Sequence, residues 1–325
     1  MLAAIAARFA PDDPVSALEI SDRPEPVPPD ESWTTVTLRA ASINQHDLWT
    51  LRGVGIRKEQ LPMILGCDGA GVDEDGNEVL VHALIGDPDW RGDETLDPAR
   101  TLLSEKYPGT FAGKLAVPRR NLVAKPSELS WAEAACLPTA WLTAYRMLFT
   151  RSDLQPGQTV LVQGAAGGVA TALTALGSAT GLRVWVTTRN AAKADAARKL
   201  GAERTFGSGE RLPEPVDAVM ETVGAATWSH SVRSLKPGGT IVICGATTGP
   251  NPDATGLNWI FFRQLRVVGS TMGTRDELEQ LVSLCRATGV RPRIDSEYPL
   301  DHAADGLTRL AEGNVIGKIV LTISR

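Results

Sequence analysis

The sequence predicts an α/β protein in two parts: a β-rich N-terminal region, then a parallel sheet with helices on both faces. Three observations carry this prediction. Residues 1–125 show short alternating runs broken by Pro, Gly and Asp clusters, the pattern of half-buried strands joined by irregular loops. From about Pro126 onward, near-continuous apolar strand candidates alternate with helical segments, as in a sheet buried on both sides. Between the first such strand and the next helix lies a turn built of Gly and Ala. At 325 residues the chain has room for about two domains.

The elements follow in order. Met1 to Ala10 resembles a signal h-region but lacks a basic n-region and reaches Arg8, Asp12 and Asp13 within a few residues, so it reads as an opening strand. Trp33 to Ala40 and Glu78 to His82 are alternating strand runs. Ser130 to Ala135 opens an Ala-rich helix, with Ser130 as N-cap and Glu133 three residues later in a capping box. Strand candidates follow at Thr159 to Gln163, Arg183 to Thr187, Ala218 to Glu221, Thr240 to Cys244 and Arg266 to Ser270. Helical segments separate them at about Gly168 to Thr180, Ala191 to Leu200 and Thr227 to Leu235. From about Gly273 the pattern is mixed and ends in a strand at Gly317 to Ile323. The expected domains are 1–125, completed by 273–325, and 126–272. Neither internal repeats nor low-complexity segments are visible.

Composition excludes several functions. Formal net charge is −5, from 33 basic and 38 acidic side chains without a long run of either sign, whereas a nucleic-acid footprint needs clustered Lys and Arg. The cysteines, Cys67, Cys136, Cys244 and Cys285, form no C-x-x-C pair, and with only four histidines a disulfide framework or Cys-rich zinc lobe is excluded. No apolar stretch approaches the ~18 residues of a membrane span. The expectation is a soluble, cytoplasmic protein with neither a nucleic-acid nor a membrane partner.

The strongest local signal is Thr159-Val160-Leu161-Val162-Gln163-Gly164-Ala165-Ala166-Gly167-Gly168-Val169-Ala170. Small residues there let the backbone approach a pyrophosphate, and the helix N-terminus supplies free N–H groups and a favourable dipole. Ala165 and Ala170 stand in for two glycines of the strict dinucleotide fingerprint, so a tight structural turn is the competing reading. The next strand ends at Thr187-Thr188-Arg189, with Lys193 beyond. An NAD site would place an acid there for the adenosine ribose. A hydroxyl, Arg189 and Lys193 instead suit the 2′-phosphate of NADPH through charge-assisted hydrogen bonds; their other reading is solvated surface charge.

With these residues in view, the chain resembles the medium-chain dehydrogenase/reductases, specifically the zinc-independent, quinone-oxidoreductase-like branch. The resemblance covers nearly the whole chain. It rests on Ser42-Ile43-Asn44-Gln45-His46-Asp47 near Gly53, Leu65-Gly66-Cys67-Asp68-Gly69-Ala70-Gly71, Gly109-Thr110-Phe111-Ala112, Leu142-Thr143-Ala144-Tyr145, the glycine turn, Leu235-Lys236-Pro237-Gly238-Gly239 and Gly317-Lys318-Ile319-Val320-Leu321. It implies a GroES-like catalytic domain formed by both chain ends, a Rossmann domain between them, and a nicotinamide cleft.

In zinc-dependent relatives the catalytic ligands are Cys, His and Cys; by motif alignment their places here fall at Asn44, Cys67 and Thr139. Only Cys67 suits zinc, so no metal site is expected, although His46 and Asp68 lie near Cys67 in sequence. The resemblance then implies hydride transfer from NADPH to a quinone, enone or other α,β-unsaturated carbonyl. It puts Asn44 near the nicotinamide as an amide donor to the developing oxyanion, local turn capping being its other role. Trp49 stands where many quinone reductases carry Tyr and offers an apolar wall instead.

Further cofactor contacts implied by the resemblance are Thr143, beside the nicotinamide carboxamide, Val223-Gly224, Gly245-Ala246-Thr247 and Lys318. Trp90, Trp141, Trp259, Phe261 and Phe262 are candidates for an apolar pocket or for core packing. The strand from Arg266 has a counterpart that pairs edge to edge between subunits in the family, which implies a homodimer. The competing functions are an enzyme of zinc alcohol dehydrogenase type and a cofactor-binding relative without useful turnover.

Overall fold

A computed structural model describes residues 1–254 and 256–324. Two compact units result: Met1–Ala140 together with the segment from Gly273, and Trp141–Met272. The first break falls 15 residues after the expected 125/126. Helix Trp131–Ala135, capped as expected by Ser130 and Glu133 (Glu133 N donates to Ser130 Oγ at 3.2 Å, Ser130 N to Glu133 Oε2 at 2.8 Å), packs on strands of the first unit. Packing, not the change of sequence pattern, decides where the unit ends.

In the first unit the longest strand is Trp33–Ile43. It alternates half-buried and buried residues up to Ala40, then is buried through Ile43, so one end faces outward and the other enters the core. It lies in a seven-stranded sheet whose order runs Leu122–Ala124, Glu78–Val81, Asp68–Asp73, Trp33–Ile43, Lys318–Thr322, Ile294–Pro299, with Lys114–Pro118 also on Trp33–Ile43. Two registers matter: Ser42 opposite Asp68, and Ile43 opposite Ile319. They bring residues 42–44, 68 and 318 into one place. A separate sheet joins Leu18–Asp22, Leu2–Ala6 and Met63–Ile64. The core includes Leu38, Leu48, Leu51, Leu65, Phe111 and Leu321, each worth about 1.5–3 kcal/mol when fully buried.

The second unit has a six-stranded parallel sheet, ordered Arg204–Phe206, Arg183–Thr187, Thr159–Val162, Val216–Glu221, Leu235–Ile243, Arg266–Gly269. In chain order this is 3-2-1-4-5-6, the doubly wound arrangement, with its switch point between Thr159–Val162 and Val216–Glu221. Helices Gly168–Ala179, Ala191–Lys199 and Ala225–Ser234 connect the strands. The apolar runs form the centre of the sheet as expected. Strand Arg204–Phe206 was not foreseen, because three residues carry no periodic signal. Leu161, Trp185, Val219, Val232, Leu235 and Ile241 make the core beneath.

Candidate functional site

In the second unit, the glycine turn joins strand Thr159–Val162 to the 12-residue helix Gly168–Ala179. Gly164 has φ +83°, a left-handed conformation that a side chain would strain. Gly167 is the N-cap and exposed, and a Cβ built on it meets no atom within 4 Å. The first-turn N–H groups of this helix have no intrahelical acceptor, and the helix opens at an exposed residue among small ones.

The other expected contacts gather at the carboxyl ends of the same strands. Thr188, Arg189 and Lys193 follow strand Arg183–Thr187, with Arg189 exposed and Asn190 capping the next helix through Lys193 N at 3.1 Å. Val223 and Gly224 follow Val216–Glu221. Gly245, Ala246 and Thr247 follow Leu235–Ile243. The Val223 carbonyl accepts from Thr248 N and Thr248 Oγ1, both at 2.8 Å. Gly224, at φ +95°, lies so close to this loop that a Cβ would sit 2.7 Å from Ala246 Cα and from Gly249 O. Thr143 is buried in helix Leu142–Tyr145, which packs on helix Gly168–Ala179.

In the first unit, Asn44 precedes helix Gln45–Arg52 and belongs to a buried polar centre. Lys318 Nζ donates to Asn44 Oδ1 at 2.6 Å, Ile43 O at 2.9 Å and Asp68 Oδ2 at 3.2 Å. Asp68 Oδ2 also accepts from Ser42 Oγ at 2.6 Å and Asn44 Nδ2 at 2.8 Å. An ammonium only donates and a carboxylate only accepts, so the orientation of the Asn44 amide is fixed. Asn44 is also the N-cap of the helix that follows, as its local role predicted. The Asn44 amide N–H groups are directed at Asp68 and Ser42 O rather than at a substrate, and Lys318, 3% exposed, spends its donors inside the unit rather than on a cofactor. Asp68 Oδ1 is buried without a hydrogen-bond partner.

Asp47 ties this centre to the helix: its carboxylate accepts from Asn44 N at 2.7 Å and Gly66 N at 3.0 Å. Burial pushes its carboxyl up to about 6, against the pull of nearby His46. Trp49, on the same helix, is 38% exposed. His46 Nε2 lies 3.1 Å from Glu105 Oε1, and His46 Nδ1 lies 3.3 Å from Cys67 Sγ. Burial opposes charge on this imidazole, but the Cys67 sulfur and the Glu105 carboxylate outweigh it and raise His46 well above its usual range. Burial also pushes the Cys67 thiol up, against His46. The Cys67 sulfur also lies 3.2 Å from Leu103 O.

Sequence reasoning missed Gln163, Glu221 and Ser231, which are buried beneath the cradle. For Gln163 and Glu221 the signal available was a polar residue ending an apolar strand run; Ser231, inside helix Ala225–Ser234, carried none. Of the aromatic candidates, Trp141 is core, whereas Trp90, Trp259, Phe261 and Phe262 are exposed.

Residues 168–287 match the family model described as zinc-binding dehydrogenase. Over 315 residues the chain is 30% identical to a zinc-type alcohol dehydrogenase-like protein of Schizosaccharomyces pombe, covering 89% of this chain and 90% of that one. The chain belongs to the medium-chain dehydrogenase/reductase superfamily. Within it the chain falls in the quinone-oxidoreductase-like branch, and it is an oxidoreductase. Another medium-chain relative, the acryloyl-coenzyme A reductase of Metallosphaera sedula, is 29% identical over 304 residues, covering 88% of this chain and 91% of its own. A solved NAD-dependent alcohol dehydrogenase superposes with TM-score 0.92 at 29% identity, covering 100% of both chains.

Many medium-chain dehydrogenases carry zinc, and the residues here do not fit it. Asn44 is saturated by Asp68 and Lys318, Thr139 offers a hydroxyl, and the Cys67 sulfur is engaged by His46 and Leu103 O. Among the described residues no group of three or more His, Cys, Asp or Glu side chains is arranged to hold a metal ion. A tetrahedral site needs three such ligands and an open position.

Proposed function

We propose that the chain is an NADPH-dependent reductase of α,β-unsaturated carbonyl compounds, such as enoyl thioesters, enones or quinones, working without catalytic zinc. The observation that carries this reading is the Asn44–Asp68–Lys318 centre: where zinc-dependent relatives place a ligand, this chain has an amide bound to its own ammonium. Bound NADPH supplies the hydride from its nicotinamide ring. The glycine turn, Gly164 to Val169, receives the pyrophosphate on backbone N–H groups. Thr188, Arg189 and Lys193 meet the 2′-phosphate, and the absence of an acid at 187–189 removes the ribose acceptor that favours NADH. Thr143, Gly245, Ala246 and Thr247 complete the cradle around the nicotinamide half. Asn44 and Lys318 act as positioning residues that fix the polypeptide leading to Trp49.

The test is NADPH and NADH consumption against a panel of enoyl-coenzyme A thioesters, enals and quinones, with product identification and metal analysis of chelator-washed protein. A preference for NADPH, with saturated thioesters or aldehydes or with hydroquinones as products, and no stoichiometric metal is the expected result. Zinc whose removal abolishes turnover would refute it.

The assembly proposed is a homodimer through strand Arg266–Gly269, one of the two edge strands of its sheet. Val267 on this strand and Leu257, Trp259, Phe261 and Phe262 on the preceding helix are exposed, Phe262 at 77%. An unpaired apolar edge is a template for a second copy. Sedimentation velocity checks it: a dimer is expected, converted to monomer by Val267→Lys.

A further inference from the structure

Beneath the cradle a chain of hydrogen bonds runs through the second unit with a single direction. Gly164 N donates to Thr187 Oγ1 at 3.2 Å, and Thr187 Oγ1 donates to Gln163 Oε1 at 2.7 Å. Gln163 Nε2 donates to Ser231 Oγ at 2.9 Å, and Ser231 Oγ donates to Glu221 Oε2 at 2.6 Å. The other carboxylate oxygen, Glu221 Oε1, accepts from Val223 N at 2.8 Å and Gly224 N at 3.0 Å, while Thr227 Oγ1 lies 2.9 Å from both oxygens. Gln163, Ser231 and Glu221 are fully buried.

The two ends fix the direction. A backbone N–H can only donate and a carboxylate can only accept, so each hydroxyl spends its one hydrogen toward Glu221, and the Gln163 amide has one orientation. The ends are also the two segments that bracket the switch point of the sheet: the glycine turn after Thr159–Val162 and the Val223–Gly224 peptide after Val216–Glu221. A second link closes the loop, since Thr222 Oγ1 donates to Gln163 O at 3.2 Å.

We infer that Glu221 is the positioning residue of the dinucleotide cradle, setting the Val223–Gly224 peptide directly and the glycine turn through Ser231, Gln163 and Thr187. The inference rests on the cofactor reading above. Its physical content is polarity. In Glu221→Gln the oxygen must stay with the two backbone N–H groups, so the new NH2 faces Ser231 as a donor. Ser231 then keeps its hydrogen only if Gln163 flips, which turns an amide N–H toward Thr187 and breaks the contact of Gln163 Nε2 with His230 Nδ1 at 2.9 Å. Thr187 already accepts from Gly164 N, and its own hydrogen loses the Gln163 oxygen. A change of one atom at Glu221, with shape conserved, thereby reaches the glycine turn.

The experiment is a titration of the full chain with NADPH, read by cofactor fluorescence, alongside the melting temperature of each protein. The wild type must bind; failure to do so would sink the cofactor reading and this inference together. Given binding, Glu221→Gln is expected to raise Kd about tenfold or more, the scale of one buried hydrogen bond to a charged group. Thr187→Val should raise Kd less, and the double variant should be no weaker than Glu221→Gln alone, because the link to the turn is already cut. Should Glu221→Gln fail to fold, Ser231→Ala replaces it: it cuts the chain and leaves the Glu221 contacts to Val223 and Gly224 in place. A lowered melting temperature with unchanged Kd, or fold-changes for the two sites that simply multiply, overturns the inference while leaving the cofactor reading intact.

Discussion

Asp68 and Glu221 are buried carboxylates at strand termini, one in each unit, and the two solve the same electrostatic problem differently. Asp68 in the first unit is met by an ammonium, Lys318, as well as by Ser42 and Asn44. Glu221 in the second is held by neutral donors: two backbone N–H groups and the hydroxyls of Thr227 and Ser231. An ion pair neutralises charge but ties together whichever segments carry its two members. Neutral donors disperse the charge and pass hydrogen-bond direction along a chain. The first solution staples the C-terminal strand to the start of helix Gln45–Arg52. The second aligns the peptides that surround the cradle.

The largest expected break in this contrast is Lys318→Ala, which leaves Asp68 buried and uncompensated. It should destabilise the protein by about 3–5 kcal/mol, measured by urea unfolding. Adding Asp68→Asn should recover part of the loss; a single variant as stable as the wild type would show that the pair does not hold the unit.

Asp47 gives the next effect, through pH. Its folded value of about 6 lies above the ordinary 3.8, so the unfolded chain releases its proton first. The folded state therefore loses stability as pH rises from about 4 to 6, by about 3 kcal/mol in full, and regains it on acidification. The difference in unfolding free energy between wild type and Asp47→Asn should carry this slope, and a flat difference would refute the assignment.

Arg189→Ala comes third and probes the neutral-donor unit at its charged rim. Loss of one charge-assisted hydrogen bond should lower kcat/KM for NADPH by roughly 1.5–3 kcal/mol, or about tenfold to more than a hundredfold, and leave the NADH value unchanged. The smallest effect is Ser130→Ala, which removes a helix cap and should cost about 1 kcal/mol in thermal stability without touching cofactor affinity.

Legibility followed the range of the interactions. The capping box at Ser130 and Glu133 spans three residues and was read correctly from sequence. The glycine turn and the five apolar strands were legible because each is a contiguous run. Strand Arg204–Phe206 escaped because it is short and exists by pairing with Arg183–Thr187. The bonds joining Asn44, Asp68 and Lys318 were not legible, because Lys318 is 274 positions from Asn44 and 250 from Asp68.

The sequence by itself determined the class of the fold, the order of its elements and the small-residue turn after the first parallel strand, since all of these are written in local residue identity and spacing. Only the tertiary structure decided that residues 126–140 pack with the first unit, that Asn44 is bound by Lys318 and Asp68, and that Gly164 is wired to Glu221. The physical reason is that a hydrogen-bond donor has no partner until strand register supplies one, and the registers Ser42 with Asp68 and Ile43 with Ile319 join segments that the linear chain keeps apart.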